Sequence, residues 1–418
     1  MQRSLISAGA GLLLALSHGC TGQTELDPQI ASAFEAAKRR ATAEPTPPGE
    51  GWQPDAILTL SPGLVDQLVS QGLRQRGTLK GILDLGGGIT LSPELKIETV
   101  ELAAARACET CVRTSVHLAG PVRYVAGILG RGSVPLEVDA VVIVEITTPR
   151  DASGWVLAAR PRAVRKVELD LKNLPKAVTK LAEDQVRSWA EASLVDAEPT
   201  PITTLSSDQL PLLELRLASV GAGIQVDLLT QAIEPGTLSG PRARPAMIAE
   251  DWQLEIASTS LLSLARRQAF LAGAQSSLQL VPEPTALSLE DDTFTLGVRL
   301  WRLSPPGWWR DVQVIGELSI EQGVAQMAAT SAEVVGASEG AAWADPLAAL
   351  TQAALISTVA DTLKHSMPAS RSATVGGSRI EIGVHAVDGV QRGAALRLGG
   401  SFVLTPSGSD DRLDPAGG

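Results

Sequence analysis

The sequence predicts an α+β fold made of two tandem, diverged copies of one unit, each a curled antiparallel sheet packed against a long amphipathic helix. Residues 51–64, GWQPDAILTLSPGL, return in weakened form at residues 251–264 as DWQLEIASTSLLSL, an offset of 200 residues. Alternating strand patterns recur at the same offset. Each half also contains one long helical pattern followed by further strands, so the order and type of the elements recur.

The composition bounds the size of the fold and its partners. The chain has 418 residues, of which 44% are hydrophobic, and at ~100–200 residues per domain this is enough for two domains. The net charge of −11 argues against a nucleic-acid partner, because phosphate backbones are bound by basic surfaces. Aromatic residues make up only 3% of the chain, so platforms for stacking bases or sugars are scarce.

Residues 1–19 are predicted to be an export signal and not part of the fold. Arg3 supplies a positive start, and the apolar stretch from Leu5 to Leu16 is too short to span a bilayer stably. The small residues before Cys20 resemble the signal of bacterial lipoproteins, which implies that Cys20 becomes the lipid-modified N-terminus. Because Thr21 follows, the resemblance implies an outer-membrane lipoprotein of a Gram-negative bacterium, facing the periplasm. Ordinary secretion with an incidental Cys20 is the alternative.

The segment after the signal, residues 20–50, is predicted to be a lipidated flexible tether. It contains a weak helical pattern and ends in a spacer rich in Pro, Gly and Glu. A flexible chain of ~30 residues has a root-mean-square reach of about 30 Å. The remaining boundaries are a first repeat at 51–235, a linker at 236–250, a second, shortened repeat at 251–406, and a disordered tail at 407–418.

Each predicted repeat begins with a short strand that leads into a helix. In the first copy Ile57 lies in the strand and Ser61 is placed to cap the helix. In the second copy Ser260 takes the capping position. The apolar helix faces are Leu64, Val65, Leu68 and Val69 in the first copy, and Leu261, Leu264 and Ala265 in the second.

Strand pairs and a long helix follow in both halves. Residues 95–118 align with 294–318, each a pair of alternating segments around a turn. The long helices are predicted at 174–194 and 345–367. The first half has further alternating strands at 134–146 and 164–174, whereas the second half leaves room for only one short strand before its helix.

Two tandem units of this order resemble the tubular lipid-binding superfamily, from residue 51 to about residue 406, without any diagnostic motif. The resemblance implies two elongated half-barrels that hold acyl chains of phospholipid or another apolar ligand between helix and curled sheet. The candidate lining residues from the apolar stripes are Leu64, Leu68, Val178, Leu181, Trp189, Leu355, Val359 and Leu363.

Two functions remain open at this point. The first is non-enzymatic binding or transfer of lipids in the bacterial envelope, with a membrane anchor at the N-terminus. The second is a structural or scaffolding lipoprotein with closed cores that contacts envelope proteins. The same apolar stripes would serve a groove or a dry core, and periodicity does not distinguish them.

Signatures of catalysis are missing from the sequence. It contains no GxSxG elbow, HExxH, Walker loop or EF-hand loop, and its histidines are isolated, so no enzyme, cofactor or metal site is predicted.

The pair Cys108 and Cys111 has the spacing of a redox motif or half a zinc site. It lacks a second ligand pair and the βαβ context, so a small disulfide at a hairpin tip is predicted, because an exported chain meets an oxidising compartment.

The tip aligned with this pair in the second copy carries Trp308, Trp309 and Arg310. Neighbouring residues in an extended chain face opposite ways, so one tryptophan is expected to point outward. An exposed Trp beside Arg suits a membrane interface or a protein partner. The alternative is that both rings pack under a neighbouring loop.

Overall fold

The computed structural model describes most of the chain. The described residues are 25–74, 77–104, 108, 110–126, 130–151, 154–171, 176–195, 199–206, 211–220, 223–238, 248–273, 280–305, 307–321, 324–338, 371–375, 378–390 and 394–406. They form a mixed structure that is mostly sheet, with a few helices and a strongly curled half-barrel sheet.

The helices are α1 (Pro28–Thr42), α2 (Pro62–Arg74), α3 (Lys176–Val195) and α4 (Ser258–Gly273). The strands are β1 (Ala56–Leu60), β2 (Thr78–Lys80), β3 (Leu83–Gly86), β4 (Ile89–Ala104), β5 (Cys111–Ala126), β6 (Arg131–Thr147), β7 (Arg150–Asp151), β8 (Gly154–Leu171), β9 (Thr200–Ser206), β10 (Leu212–Val220), β11 (Ile224–Thr230), β12 (Trp252–Ala257), β13 (Leu280–Glu290), β14 (Thr293–Arg302), β15 (Trp308–Glu321), β16 (Val324–Ala337), β17 (Arg371–Val375), β18 (Ser378–Val390) and β19 (Ala395–Pro406).

The strands form three sheets. The first sheet has the order β2-β4-β5-β6-β8-β7, with β3 on β4 and β9 on β8. The second sheet is β13-β14-β15-β16, and the central sheet has the order β10-β11-β1-β12-β19-β18-β17. The central sheet therefore takes strands from both halves of the sequence and joins them.

The first sheet curls because its strands are long and irregular. β5 has 16 residues, about 50 Å at the usual rise. The β6–β8 ladder shifts register between Val141 and Val142 and again between Ile143 and Val144. Such bulges increase the local twist, and long twisted strands roll the sheet into a half-barrel.

The centre of the molecule is the antiparallel pair of β1 and β12. Ala56 pairs with Ile256, and Leu60 pairs with Trp252. Because the strands are antiparallel, α2 and α4, which directly follow them, leave the central sheet at opposite ends. Because α2 packs on β4 of the first sheet and α4 packs on β13 of the second, the two sheets lie beyond opposite ends of this strand pair.

Backbone hydrogen bonds repeat around this pair. The Asp55 N–H donates to the carbonyl of Leu228 at 3.1 Å, and its carbonyl accepts from the Ala257 N–H at 2.8 Å. Asp251 repeats the arrangement: its N–H donates to the Gly400 carbonyl at 3.0 Å, and its carbonyl accepts from the Ser61 N–H at 2.8 Å. The two aspartates lie 196 residues apart, as do the first residues of α2 and α4.

This register corrects the alignment made from the sequence. At the structural offset Trp52 and Trp252 do not correspond, since Trp252 begins β12 whereas Trp52 lies before β1. α2 packs on β4, whereas α4 packs on β13, so the match of 95–118 in β4 and β5 with 294–318 in β14 and β15 was wrong by one strand. The second half is also not short of long strands, because β16 has 14 residues where only a short strand was predicted.

The prediction of a flexible tether at residues 20–50 is wrong for the part that forms α1. Asp27 caps this helix by accepting a hydrogen bond from the Gln29 N–H at 2.7 Å. Its residues Ile30, Phe34, Ala37 and Ala41 are buried against a small cluster on the outer face of the second sheet. Because i, i+4 and i+7 positions share one face of a helix, this apolar stripe docks the segment onto the fold. The cluster partners are Phe270, Val281 and Trp301.

Several predicted features lie outside the described residues. They are the export signal with Cys20, the second long helix with Leu355, Val359 and Leu363, and the tail after residue 406. The start of the predicted linker is described and packed: Leu238 is buried with Ile57 and Ala395, and the Gly236 N–H donates to Ser260 Oγ at 2.9 Å.

Candidate apolar ligand site

The inner face of the first sheet is apolar along its whole length. In β6 every second residue from Val134 to Ile146 is buried, while the outer face carries charged pairs such as Arg162 with Glu145 at 2.7 Å. This alternation places one apolar surface inside the curl. Its buried side chains are Leu91, Leu95, Ile97 and Val100 of β4, Val112, Val116, Leu118 and Val122 of β5, and Val134, Leu136, Val138, Ala140, Val142, Val144 and Ile146 of β6.

Helix α2 lies against this surface. Ser61 caps it, accepting from the Leu64 N–H at 3.2 Å. The Asp66 carboxylate accepts from the Leu102 N–H of β4 at 3.1 Å, which fixes the helix to the sheet. Leu64 and Leu68, two of the predicted lining residues, are therefore directed into the apolar cluster and are 1% and 5% exposed.

Helix α3 lies over the same sheet. Val186 is fully buried, and Trp189 is half-buried against the apolar cluster. The Trp189 indole lies so close to Gly81 that a Cβ at that position would overlap the ring. Val178 and Leu181 belong to α3, but their side chains lie outside the described residues.

The apolar surface is least covered at one end of the first sheet. Asp66, at the start of α2, contacts the β4 end at Leu102, so the opposite end, at Ile89 and the β5–β6 turn, is the distal end. Leu79, Leu85, Tyr124 and Trp189 pack against the cluster there while only half-buried. Ile82 is 80% exposed in the same region, and Val125, on the outer face of β5, is 55% exposed. Trp189 was among the predicted lining residues. The sequence stripes did not indicate Leu79, Ile82, Leu85, Tyr124 and Val125, because most of them lie at strand ends and turns.

Cys108 and Cys111 form the predicted disulfide, at the turn between β4 and β5. Their Cα atoms are 5.1 Å apart, and the Ile146 N–H of β6 donates to the Thr110 carbonyl at 2.9 Å. The pair lies near the central sheet, away from the distal end. It closes a turn and contributes no side chain to the apolar surface at that end.

Trp308 and Trp309 face opposite sides of β15, as neighbours in a strand do. Trp308 packs on the main apolar cluster, with Arg310 over its ring at 5.5 Å. Trp309 packs on the cluster under α1, with Arg299 over its ring at 4.2 Å. Both rings are half-buried and Arg310 is buried. Because the rings pack on opposite faces of β15, they do not both lie under one neighbouring loop. A membrane or partner contact at these residues stays a prediction.

A cavity of about 440 Å³ lies between α1 and the second sheet. Two of its charged side chains, Glu283 and Arg299, have hydrogen-bond partners on the second sheet. Glu283 accepts from the Trp301 indole N–H at 2.8 Å, and Arg299 donates to Asp311 at 2.7 and 2.8 Å. The hydrogen bond with Asp311 raises the pKa of Arg299. Because Glu283 and Arg299 already have these partners, this cavity is a poorer candidate for an apolar ligand than the inner face of the first sheet.

Comparisons with known proteins give distant likenesses. No family model and no curated protein matches the sequence. The crystal structure of a lipopolysaccharide binding protein is similar at 13% identity and a TM-score of 0.40, covering 84% of this chain and 99% of that chain. P47 of Clostridium botulinum E1 is similar at 8% identity and a TM-score of 0.40, with the same coverage. Identities and TM-scores this low do not assign a function, so the proposals below depend on the geometry of this chain.

One observation bears on whether a helix of this chain crosses a membrane. Among the described residues, none of the helices is long and apolar enough to cross a bilayer.

Proposed function

We propose that the protein is a non-enzymatic carrier that binds the acyl chains of lipids, or a similar apolar ligand, on the inner face of the first sheet under α2 and α3. The observation that supports this is the incomplete closure of the apolar surface at the distal end. Leu79, Leu85 and Trp189 there contact the cluster and are only half-buried. A closed core would bury such side chains, since each Å² of apolar surface removed from water is worth about 25 cal/mol.

The ligand class follows from the chemistry of this surface. It consists of aliphatic side chains with Tyr124 and Trp189 near the distal end, and charged pairs lie on the outer face. Such a surface binds by apolar burial and gives little selectivity for a head group. We therefore propose a ligand with one or more long hydrocarbon chains, of which phospholipid is the most abundant in a bacterial envelope.

We further propose that the two halves are copies of one unit and that Cys20 carries a lipid anchor in the outer membrane. The duplication is supported by the repeated bonds of Asp55 and Asp251 and by the matching starts of α2 and α4. The anchor is supported by the resemblance of residues 1–19 and Cys20 to a bacterial lipoprotein signal. An outer-membrane lipoprotein that faces the periplasm would lie in an envelope space bounded by phospholipid membranes.

The experiment is to express the chain without residues 1–20, purify it without detergent, and measure bound lipid by native mass spectrometry and organic extraction. We expect phospholipid in stoichiometric amounts. In the variant Trp189→Glu the new carboxylate would have to be buried against acyl chains, so bound lipid should fall at least severalfold.

Arg187→Glu is the matched control, because Arg187 is exposed on the same helix. It introduces the same side chain away from the apolar surface and should retain the lipid. Thermal unfolding of both variants shows whether each is folded. A protein that is free of lipid and stays so after incubation with liposomes would reject the carrier and favour the scaffolding lipoprotein.

A further inference from the structure

We propose that α1 fixes the orientation of the anchored protein, holding the β14–β15 turn at the membrane that carries Cys20 and directing the distal end of the first sheet away from it. The proposal depends on lipid attachment at Cys20, which belongs to the proposed function. It replaces a long flexible tether with a short connection to one defined end of the molecule.

The first step is the position of α1. Phe34 packs against Phe270 and Trp301, with ring centroids 5.6 and 5.8 Å apart. At its N-terminal end, Leu26 and Ile30 contact the β14–β15 turn so closely that a Cβ on Gly307 would overlap Leu26 and touch Ile30. The helix therefore begins at this turn.

The second step is the position of that turn in the molecule. At the other end of the second sheet, Asp291 bridges to Gly389 of β18 in the central sheet. The β14–β15 turn is thus the end of the second sheet that points away from the centre. The first sheet, about 50 Å long, extends from the opposite end of the central strands. The β14–β15 turn and the distal end of the first sheet are the two far ends of the protein.

The third step is the length of the connection. Seven peptide steps separate Cys20 from Asp27, and a fully extended chain of this length spans about 25 Å. If α1 were undocked, the free segment would run to Asp55 with a root-mean-square reach of about 30–35 Å, and it would start from the central sheet. Docking of α1 therefore shortens the segment between Cys20 and the fold and moves the point where this segment joins the fold.

This orientation relative to the membrane suits a carrier. The least covered part of the apolar surface, near Ile82 and Leu85, is then directed away from the anchoring bilayer. A ligand would be collected or delivered at a second membrane or by a soluble partner across the envelope space, while the anchor stays in place.

The test places a hexahistidine tag before Thr21, in place of residues 1–20, and binds the protein to vesicles that contain nickel-chelating lipid. This fixes the attachment point whether or not Cys20 is lipidated in cells. Single thiols are introduced at exposed positions by Pro305→Cys or Ile82→Cys, and the disulfide of Cys108 and Cys111 is left intact. Energy transfer from a dye at each thiol to an acceptor on the vesicle surface reports its distance from the membrane.

We expect transfer from position 305 to be several-fold greater than transfer from position 82. Phe34→Asp, which buries a charge under α1, should reduce this difference, whereas Ser32→Asp on the exposed face of the same helix should leave it unchanged. Equal or reversed transfer in the protein with unaltered α1 would overturn the orientation. Mass spectrometry of the full chain from bacterial membranes tests the lipid on Cys20 separately, so failure of the anchor is distinguishable from failure of the orientation.

Discussion

The carboxylate of Asp55 accepts two hydrogen bonds from Thr230, a residue 175 positions further along the chain. The Thr230 N–H donates at 2.8 Å and its hydroxyl donates at 2.5 Å. Ser260 of α4 donates a third hydrogen bond at 2.7 Å. Asp55 is fully buried, so one side chain joins β1, β11 and α4 in the middle of the molecule.

A related bond exists at Asp251, whose carboxylate accepts from the Phe402 N–H at 3.0 Å. Asp251 is half-buried, and the hydroxyl partners of Asp55 are not matched there among the described contacts. The two sites therefore share a backbone pattern and differ in burial, which makes one a control for the other.

Replacing Asp55 with Ala should destabilise the protein by about 2–4 kcal/mol, because the Thr230 N–H and two hydroxyls would lose a charged acceptor inside the fold. Urea unfolding followed by circular dichroism measures the loss. Asp251→Ala should cost clearly less, since water can reach its donor. Equal losses at both positions would show that burial of Asp55 is not the cause.

The pH dependence of stability should also depend on Asp55. Burial raises the pKa of this carboxyl above its ordinary value of 3.8, although its hydrogen bonds act in the opposite direction. A raised folded-state pKa contributes stability below the unfolded pKa and loses it as pH rises through the folded value. The stability of wild type minus that of Asp55→Asn should therefore fall as pH rises from below 3.8. A difference that stays constant or grows with pH would contradict the raised pKa.

Local signals explain what the sequence predicted well. Ser61 with the stripe of Leu64 and Leu68 predicts α2 correctly, since cap and stripe lie within two turns. The alternation of β6 and the disulfide of Cys108 and Cys111 are also local features. The apolar cluster of the first half follows from these patterns.

The sequence did not predict features that depend on contacts between residues far apart in the chain. The stripe of Phe34 and Ala37 exists in the sequence, but its partner Trp301 is in the second sheet, so no local pattern indicates that α1 docks. Trp52 and Trp252 match in the sequence, but distant residues give them different surroundings, so their match did not indicate the correct offset between the halves. Trp52 lies under Arg216 at 4.6 Å, whereas the Trp252 indole donates to the Ser401 carbonyl at 3.2 Å.

His117, on the outer face of the first sheet, should titrate above its ordinary pKa of 6.5. The hydrogen bond of its Nδ1 with Asp139, at 2.8 Å, is the main cause, and the charges of Asp139 and Glu98 add to it. NMR titration should show the pKa falling in Asp139→Asn and falling less in Glu98→Gln, whose contact is 3.8 Å. The ion pair of His117 with Asp139 stabilises the fold below pH 6.5, and because it is exposed the contribution is less than about 1 kcal/mol. This stabilisation is lost as pH rises through the raised pKa of His117. Equal shifts in both variants would reject Asp139 as the main partner.

The contact of Gly81 with Trp189 predicts how α3 is held over the apolar surface. Gly81→Ala adds a methyl group where the indole lies, so the helix must shift, at a cost of about 1–3 kcal/mol. In a Trp189→Ala background the same change should cost almost nothing, and a double-mutant cycle of urea unfolding measures this coupling. Gly49→Ala, which meets open space, is the control.

The same variants connect this contact to ligand binding. Because Gly81→Ala displaces α3 from the distal end, lipid that co-purifies with the protein should decrease, and Gly49→Ala should retain it. If Gly81→Ala couples to Trp189 in stability but leaves bound lipid unchanged, the ligand does not lie under α3. The proposed site would then have to move toward α2, where Leu64 and Leu68 face the sheet.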